Sequence, residues 1–120
     1  MIMLVENNDD DMRNLKSCVA ECYPDSDIIA FSDPAEALEF IRSDKAVVDL
    51  CFAEVVMRGV TGFRLVSALR ERNKASKVVF LADTSDYAID AWRYNANDYL
   101  LKPVTLKSVE HTLSSVSHAP

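Results

Sequence analysis

Glycine is scarce in this chain, with two glycines among 120 residues. The sequence therefore lacks the glycine-rich loop with which many nucleotide-dependent enzymes hold phosphate groups. Its two histidines lie away from the predicted strand ends, where an enzyme built on a layered α/β fold would place its catalytic groups. A small enzyme or flavin protein is disfavoured on these grounds, although such a fold alone does not exclude one. We expect a protein without enzymatic activity of its own.

Basic residues are also in short supply. Thirteen Lys and Arg against nineteen Asp and Glu give a formal net charge of −6, and a domain with that balance is repelled by phosphate backbones. Binding of DNA or RNA by this segment is therefore not expected. No apolar run approaches the roughly 18 residues that cross a bilayer, and no signal-peptide pattern opens the chain. We expect a cytoplasmic protein without membrane contact.

The three cysteines do not suggest a disulfide framework. Cys18, Cys22 and Cys51 are an odd number in apolar surroundings, which is typical of a reducing compartment. Cys18 and Cys22 lie four residues apart on a predicted helix, and His111 or His118 would complete a metal site with them. Small side chains that fill the core are the favoured interpretation.

Five short apolar segments alternate with five segments of helical spacing. The predicted strands are residues 2–5, 28–31, 46–53, 77–82 and 98–101; the fourth helix is predicted at 85–94 and the fifth from Thr105. Strands that are apolar throughout are buried on both faces, which predicts a parallel sheet covered by helices on each side. Right-handed crossovers then restrict the fold class to a doubly wound, five-stranded α/β domain. The length suits one such domain, predicted over 1–120.

The functional site of a doubly wound sheet lies at the carboxyl ends of its strands. Glu6 follows the first predicted strand, Glu54 the third and Lys102 the fifth, while Ala82 ends the fourth. We therefore expect these four residues to lie close together.

Two longer segments carry a family resemblance. Residues 80–103 (FLADTSDYAIDAWRYNANDYLLKP) and 49–62 (DLCFAEVVMRGVTG) resemble the receiver domains of bacterial response regulators. The similarity covers all five strand–helix units and implies the flavodoxin-like, CheY-like (βα)5 fold. In such receivers carboxylates hold Mg²⁺, an aspartate ending strand three accepts a phosphoryl group, and a lysine and a hydroxyl bind its oxygens.

The resemblance assigns the phosphate-site lysine and its proline to Lys102 and Pro103, with a cis peptide bond expected between them. Glu6 and Asn7 stand at the acidic pocket, and a shifted alignment would bring Asp9 there; the alternative role of Asp9 is at the start of the first helix. Asn7 is neutral, so Mg²⁺ would depend on Glu6 and Glu54, and weakened binding is expected.

Two further positions depart from the receiver pattern. Glu54 replaces the phosphoaccepting aspartate, and its extra methylene displaces the carboxylate by ~1.5 Å. In a reaction between positioned groups, a misplacement of ~1 Å can lower the rate ~100-fold. The longer carboxylate would instead reach Lys102 and imitate the phosphorylated state. Ala82 replaces the Thr or Ser whose hydroxyl would bind the phosphoryl oxygen.

Tyr99 matches the aromatic position whose inward or outward rotamer reports activation in receivers. The small side chain of Ala82 leaves room for an inward ring, and the alternative is an ordinary strand aromatic. The face formed by helix four, strand five and helix five is where receivers meet partners, and it would allow a homodimer.

These features favour an atypical, phosphorylation-independent receiver in two-component signal transduction. It would control a transcriptional effector, in a domain beyond Pro120 or in another protein, and a sensor histidine kinase is a further candidate partner. The run YNANDYLLKP, with Tyr87 upstream, resembles receivers joined to LytTR-type DNA-binding domains. The alternative is a phosphorelay-competent receiver that binds Mg²⁺ and accepts the phosphoryl group on an acidic site residue.

Overall fold

The computed structural model describes the backbone of residues 1–43 and 47–117, and the side chains of residues 1–43 and 47–112. Strands and helices alternate, as the apolar pattern predicts. In chain order the elements are β1 (Ile2–Val5), α1 (Asp9–Cys22), β2 (Ile28–Phe31), α2 (Pro34–Arg42), β3 (Leu50–Glu54), α3 (Gly62–Arg72), β4 (Lys77–Ala82), α4 (Ala88–Arg93), β5 (Asp98–Leu101) and α5 (Leu106–Ser117). Ala46 and His118, which entered the sequence predictions, lie outside the described residues.

The five strands form one sheet in the order β2-β1-β3-β4-β5, and every neighbouring pair is parallel. The predicted doubly wound α/β fold is thereby confirmed. β1 and β3 are buried along their whole length, as continuous apolar strands should be. The chain leaves β1 towards one edge of the sheet and β3 towards the other. A crevice therefore opens at the carboxyl ends of these two strands.

Apolar side chains pack on both faces of the sheet. Successive residues of a strand point to opposite faces, so Leu4 and Phe52 pack beneath α1 and α5, while Met3, Cys51 and Phe80 pack beneath α2 and α3. Because both faces are buried, a strand cannot slip by one residue without exposing apolar side chains. The register of the carboxyl ends is fixed in this way.

Polar side chains cap the first three helices at their amino termini. Asn8 caps α1 by accepting a hydrogen bond from the Asp11 backbone at 2.9 Å, and Asp33 and Thr61 cap α2 and α3 in the same manner. Such caps satisfy backbone N–H groups that have no partner within the helix. The cap of α1 follows the end of β1 closely, which places the first turn of the helix over the crevice.

Two predicted boundaries are wrong. β3 begins at Leu50 rather than at residue 46, because Val47 is 65% exposed and the Asp49 carboxylate turns outward to bind the N-terminal ammonium of Met1 at 2.6 Å. The helix predicted at 85–94 is divided into a single 3₁₀ turn, Ser85–Tyr87, and α4. The Thr84 hydroxyl caps that turn by accepting from the backbone N–H of Asp86.

The cysteines belong to the packed interior. Cys18 and Cys51 are buried, Cys22 is half-buried, and all three are free thiols. Burial raises the pKa of Cys51 to about 12, so that thiol is neutral at physiological pH. Within residues 1–43 and 47–117, no group of three or more His, Cys, Asp or Glu is arranged to hold a metal ion. The same part of the chain contains no helix with the length and apolar character that a membrane span requires.

Candidate functional site

The carboxyl ends of β1, β3 and β5 bring three charged side chains together. Glu6 follows β1, Glu54 is the last residue of β3, and Lys102 follows β5. The Lys102–Pro103 peptide bond is cis, as expected. The side chain of Lys102 is only 5% exposed. A buried ammonium of this kind needs anionic partners, because its removal from water costs several kcal/mol.

Three carboxylates surround the Lys102 ammonium. Its Nζ lies 2.5 Å from Glu54 Oε1, 2.9 Å from Asp11 Oδ2 and 3.3 Å from Glu6 Oε2. A fourth, Asp83, is 81% exposed and approaches to 4.0 Å. Charge-assisted hydrogen bonds are about twice as strong as neutral ones. Through these hydrogen bonds, the Lys102 ammonium links the ends of β1, β3 and β5 to the first turn of α1.

Glu54 is held by only one of its two carboxylate oxygens. The side chain is 7% exposed, and Oε1 accepts from Lys102 at 2.5 Å. Its other oxygen, Oε2, is buried and has no hydrogen-bond partner among the described residues. An unpaired buried oxygen of this kind is unusual in a folded protein. Lys102 therefore supplies the hydrogen bond to this carboxylate, and the carboxyl group of Glu6 lies beside it.

Glu6 lies deeper than any other acidic group of the site. It is completely buried, and its Oε1 accepts a hydrogen bond from the backbone N–H of Asn8 at 3.1 Å. Burial, together with the neighbouring Glu54 carboxylate, raises the pKa of Glu6 from 4.5 to about 8, although Asn8 and Lys102 act in the opposite direction. Glu6 therefore keeps its proton to a higher pH than an ordinary glutamate does.

Lys102 remains charged over the whole physiological range. Burial alone would lower its pKa, but the hydrogen bonds to Glu54 and Asp11 and the charge of Glu6 outweigh burial and raise the pKa above its usual value. One ammonium thus faces the carboxyl groups of Glu54, Asp11 and Glu6.

The other predicted members of the acidic pocket lie apart from this cluster. Asn7 is exposed and lines a shallow depression with Ser32 and Arg58. Asp9 is exposed in the first turn of α1, where an acidic side chain interacts favourably with the helix dipole. Asp11, which the sequence reasoning did not assign to the site, contacts Lys102 instead.

Ala82 and Tyr99 complete the site on the side of β4 and β5. Ala82 is buried, and it contributes only its backbone carbonyl, which accepts from the Lys102 N–H at 2.8 Å. Tyr99 is half-buried and packs on the core cluster that contains Ala82. Its hydroxyl donates to the Thr84 carbonyl at 2.5 Å. The ring is therefore tied to the loop that follows β4.

The donor set does not fit a tightly held Mg²⁺ ion. Mg²⁺ requires an octahedral set of oxygen ligands, whereas the oxygens of Glu54, Asp11 and Glu6 already converge on an ammonium. Asn7 is neutral and exposed. Among the buried carboxylate oxygens of the described residues at this site, Glu54 Oε2 has no hydrogen-bond partner. We therefore assign no metal-dependent chemistry to these residues.

A parallel sheet in this order, with clustered acids and a lysine before a cis-proline at its carboxyl edge, defines a receiver domain. The chain belongs to the response regulator receiver domain family, whose model matches residues 2–114. Receivers of this kind work with effector domains or kinases in two-component systems.

Curated relatives are similar over nearly the whole chain. The chain is 29% identical to the sensory transduction protein LytT of Enterococcus faecalis, over 98% of this chain and 48% of that protein. It is 30% identical to the transcriptional regulatory protein BtsR of Escherichia coli, over 94% of this chain and 46% of that protein. The chain thus spans about half the length of these relatives.

Solved structures share the fold. The bacteriophytochrome response regulator RtBRR superposes with a TM-score of 0.83 at 17% identity, covering 99% of this chain and 78% of that one. The chemotaxis response regulator CheY4 of Vibrio cholerae gives 0.79 at 21% identity, covering 96% of each chain.

Proposed function

We propose that this receiver holds its signalling conformation without phosphorylation. The observation that carries the proposal is the buried ion pair between Glu54 and Lys102, at 2.5 Å. Glu54 stands where receivers carry the phosphoaccepting aspartate, and its longer side chain already contacts the lysine that would bind a phosphoryl oxygen. The carboxylate thus supplies permanently the negative charge that phosphorylation would add.

Three features of the site oppose phosphoryl transfer. The Glu54 carboxylate is displaced from the position of an aspartate, and such a misplacement can cost ~100-fold. The same carboxylate occupies Lys102, so a transferred group would have to displace it. The methyl group of Ala82 offers no hydrogen bond to a phosphoryl oxygen.

The position of Tyr99 supports the same proposal. Its hydroxyl donates to the Thr84 carbonyl, and the ring packs against the core cluster that contains Ala82. In receivers the inward rotamer of this aromatic residue reports activation. We infer that Tyr99 adopts this inward rotamer, and that the ring and the Glu54–Lys102 pair are two parts of one stable state.

Acetyl phosphate tests the proposal directly. We expect the native chain to gain no phosphoryl group in the presence of Mg²⁺ at neutral pH, as measured by intact mass. The variant Glu54→Asp should become modified, at a rate ~100-fold or more above any residual rate of the native chain, because the nucleophile then has its ordinary reach. Adding Asn7→Asp and Ala82→Thr should increase the rate further, since these changes return an acidic charge and a hydroxyl.

Stoichiometric modification of the native chain would contradict this function. If the phosphoryl group mapped to Asp11 or Asp83, both beside Lys102, the result would favour the alternative, a phosphorelay-competent receiver. Modification of Glu54 itself would mean that the ion pair with Lys102 opens readily.

We propose that partners dock on the face of α4 and β5. Ile89 and Trp92 on α4 are 71% and 76% exposed, and Leu101 at the end of β5 is 54% exposed. A cavity of about 110 Å³ between the two elements is lined by Trp92 and Tyr99. Exposed apolar clusters of this kind mark interaction sites, and the first partner to consider is a second copy of the chain.

Sedimentation equilibrium would test the homodimer. We expect concentration-dependent dimers whose dissociation constant rises ~10-fold or more in Trp92→Ala, because tryptophan dominates many interfaces. Val47→Ala, at a valine that is 65% exposed and lies on the loop before β3, should leave the constant unchanged. If the native chain remained monomeric at all concentrations, the homodimer would be contradicted, and a kinase or an effector would be the remaining partner for the α4–β5 face.

We propose a transcriptional output. The relative BtsR is named a transcriptional regulatory protein, and this chain matches about half of its length. The acidic chain, with a net charge of −6, is unsuited to contact DNA. The receiver would therefore act on transcription through an effector.

A further inference from the structure

Helix α3 begins directly against the backbone of Glu54. A β-carbon at Gly62 would lie 2.2 Å from the Glu54 carbonyl oxygen, so only glycine permits this approach. The Gly62 N–H also donates to the Val55 carbonyl at 3.0 Å. The first turn of α3 therefore follows any displacement of the strand end that carries Glu54.

The same helix contacts the carboxyl-terminal end of α4 at two points. Near the start of α3, the Phe63 ring stacks on Tyr94 with centroids 4.8 Å apart, and it meets Phe80 edge-on. Two turns later, the Arg70 guanidinium donates to the carbonyls of Tyr94 and Asn95, each at 2.9 Å. One helix thus contacts both the ring and the backbone of Tyr94, the residue that follows α4 as its carboxyl-terminal cap.

The backbone conformation at the end of α4 presents these carbonyls to Arg70. Asn95 has a positive φ of 57°, and the N–H groups of Asn95 and Ala96 bond back to the carbonyls of Trp92 and Ala91. This is the pattern of a Schellman cap, which turns the last carbonyls of a helix outward. A cation at that end also complements the helix dipole.

The connection through β4 is weaker in this chain. Ala82, at the end of β4, directs only a methyl group towards the site, and its backbone carbonyl is engaged with the Lys102 N–H. An ordinary receiver would have a hydroxyl here to report the state of the site to the loop before α4. Coupling requires an element that both sites contact, and α3 contacts both.

We propose that Phe63 and Arg70 are positioning residues that tie α4 to α3, so that a displacement of Glu54 moves α4 through α3 and not through residue 82. The inference rests on the proposed function, because it describes how the Glu54–Lys102 state reaches the docking face. Trp92, two residues before Tyr94, is the exposed side chain that this link would move.

Amide chemical shifts of the full chain test the link. We expect Glu54→Gln to shift the α4 amides of Ala88–Arg93 in the native background. In Arg70→Met, and separately in Phe63→Leu, the same change should shift those amides about threefold less, while the shifts around Lys102 keep their native size. Arg70→Lys serves as a milder variant if Arg70→Met unfolds.

Arg72→Met is the matched control. Arg72 also lies at the end of α3 and also donates to a backbone carbonyl, that of Ser43 after α2, so its loss should leave the α4 response at full size. An equal α4 response in the native chain, in Arg70→Met and in Phe63→Leu would overturn the link alone. A native chain whose α4 amides ignore Glu54→Gln would overturn both the link and the proposed function.

Discussion

Replacing Lys102 with methionine is expected to destabilise the fold by about 3–5 kcal/mol, since removing one partner of a buried ion cluster leaves uncompensated charge. The Lys102 side chain is 5% exposed, and those of Glu6 and Glu54 are 0% and 7% exposed. In the variant, the carboxyl groups of Glu6 and Glu54 would both lose the Lys102 ammonium that they contact. Urea unfolding at pH 7, monitored by far-UV circular dichroism, measures the loss.

Two comparisons make this result specific to the cluster. Lys107→Met, at an exposed lysine of α5, should change stability by no more than about 0.5 kcal/mol. Glu54→Gln should cost less than Lys102→Met, because Asp11 and Glu6 remain as partners of the ammonium. A loss below about 1 kcal/mol for Lys102→Met would be that of an exposed ion pair, and it would contradict the closed site.

A second large effect is expected from pH. The pKa of Glu6 is 4.5 in its ordinary state and about 8 in the fold, so the folded chain binds more protons than the unfolded chain between these values. Stability should therefore fall as pH rises through this window, with a limiting slope of about 1.4 kcal/mol per pH unit for one group. The contribution of Glu6 is fully present below pH 4.5 and lost above about pH 8.

Glu6→Gln isolates this contribution, because glutamine keeps the shape of the neutral acid. Urea unfolding at pH 5, 6, 7 and 8 should give a clear decline for the native chain and a flatter profile for the variant. Lys102 does not contribute to the change in stability between pH 5 and pH 8, since its pKa is raised from 10.5 and it stays protonated over that range. A native stability that increases from pH 5 to pH 8 would contradict the buried, protonated Glu6.

The fold was predictable because burial on both faces leaves a plain signal. Apolar runs such as Ile2–Val5 and Lys77–Ala82 have the bounds that the structure shows. The start of β3 was misjudged because Val47 and Val48 are both apolar, although Val47 is exposed and only Val48 is buried. The Asp49 carboxylate that follows binds the ammonium of Met1. Hydrophobicity alone cannot report such a contact.

The site was predictable to the extent that it depends on strand ends. Glu6, Glu54 and Lys102 each lie at the carboxyl end of a parallel strand, and this position alone predicts that they lie close together. Asp11 was missed because its contact with Lys102 depends on where α1 begins, and three consecutive acids leave that choice open. The cap at Asn8 was the available signal: it makes Asp11 the third helical residue, one turn from the cap and next to the strand end.

The hydrogen-bond partner of Tyr99 could not be read from the sequence. The hydroxyl donates to the backbone carbonyl of Thr84. Every residue type carries a backbone carbonyl, so the sequence does not indicate which one accepts the hydrogen bond. The division of the fourth helix has a related cause, because the Thr84 hydroxyl caps a single 3₁₀ turn before α4 begins. Local capping overrode the longer helical pattern at this point.

The Glu54–Lys102 pair also bears on how long a signal lasts. A phosphoryl group on aspartate is lost by hydrolysis, which gives an ordinary receiver a built-in decay time. The carboxylate of Glu54 is part of the chain and has no chemical half-life. Under the proposed function, the output would therefore follow the cellular amount of the protein, and its synthesis and degradation would take the place of a kinase and a phosphatase.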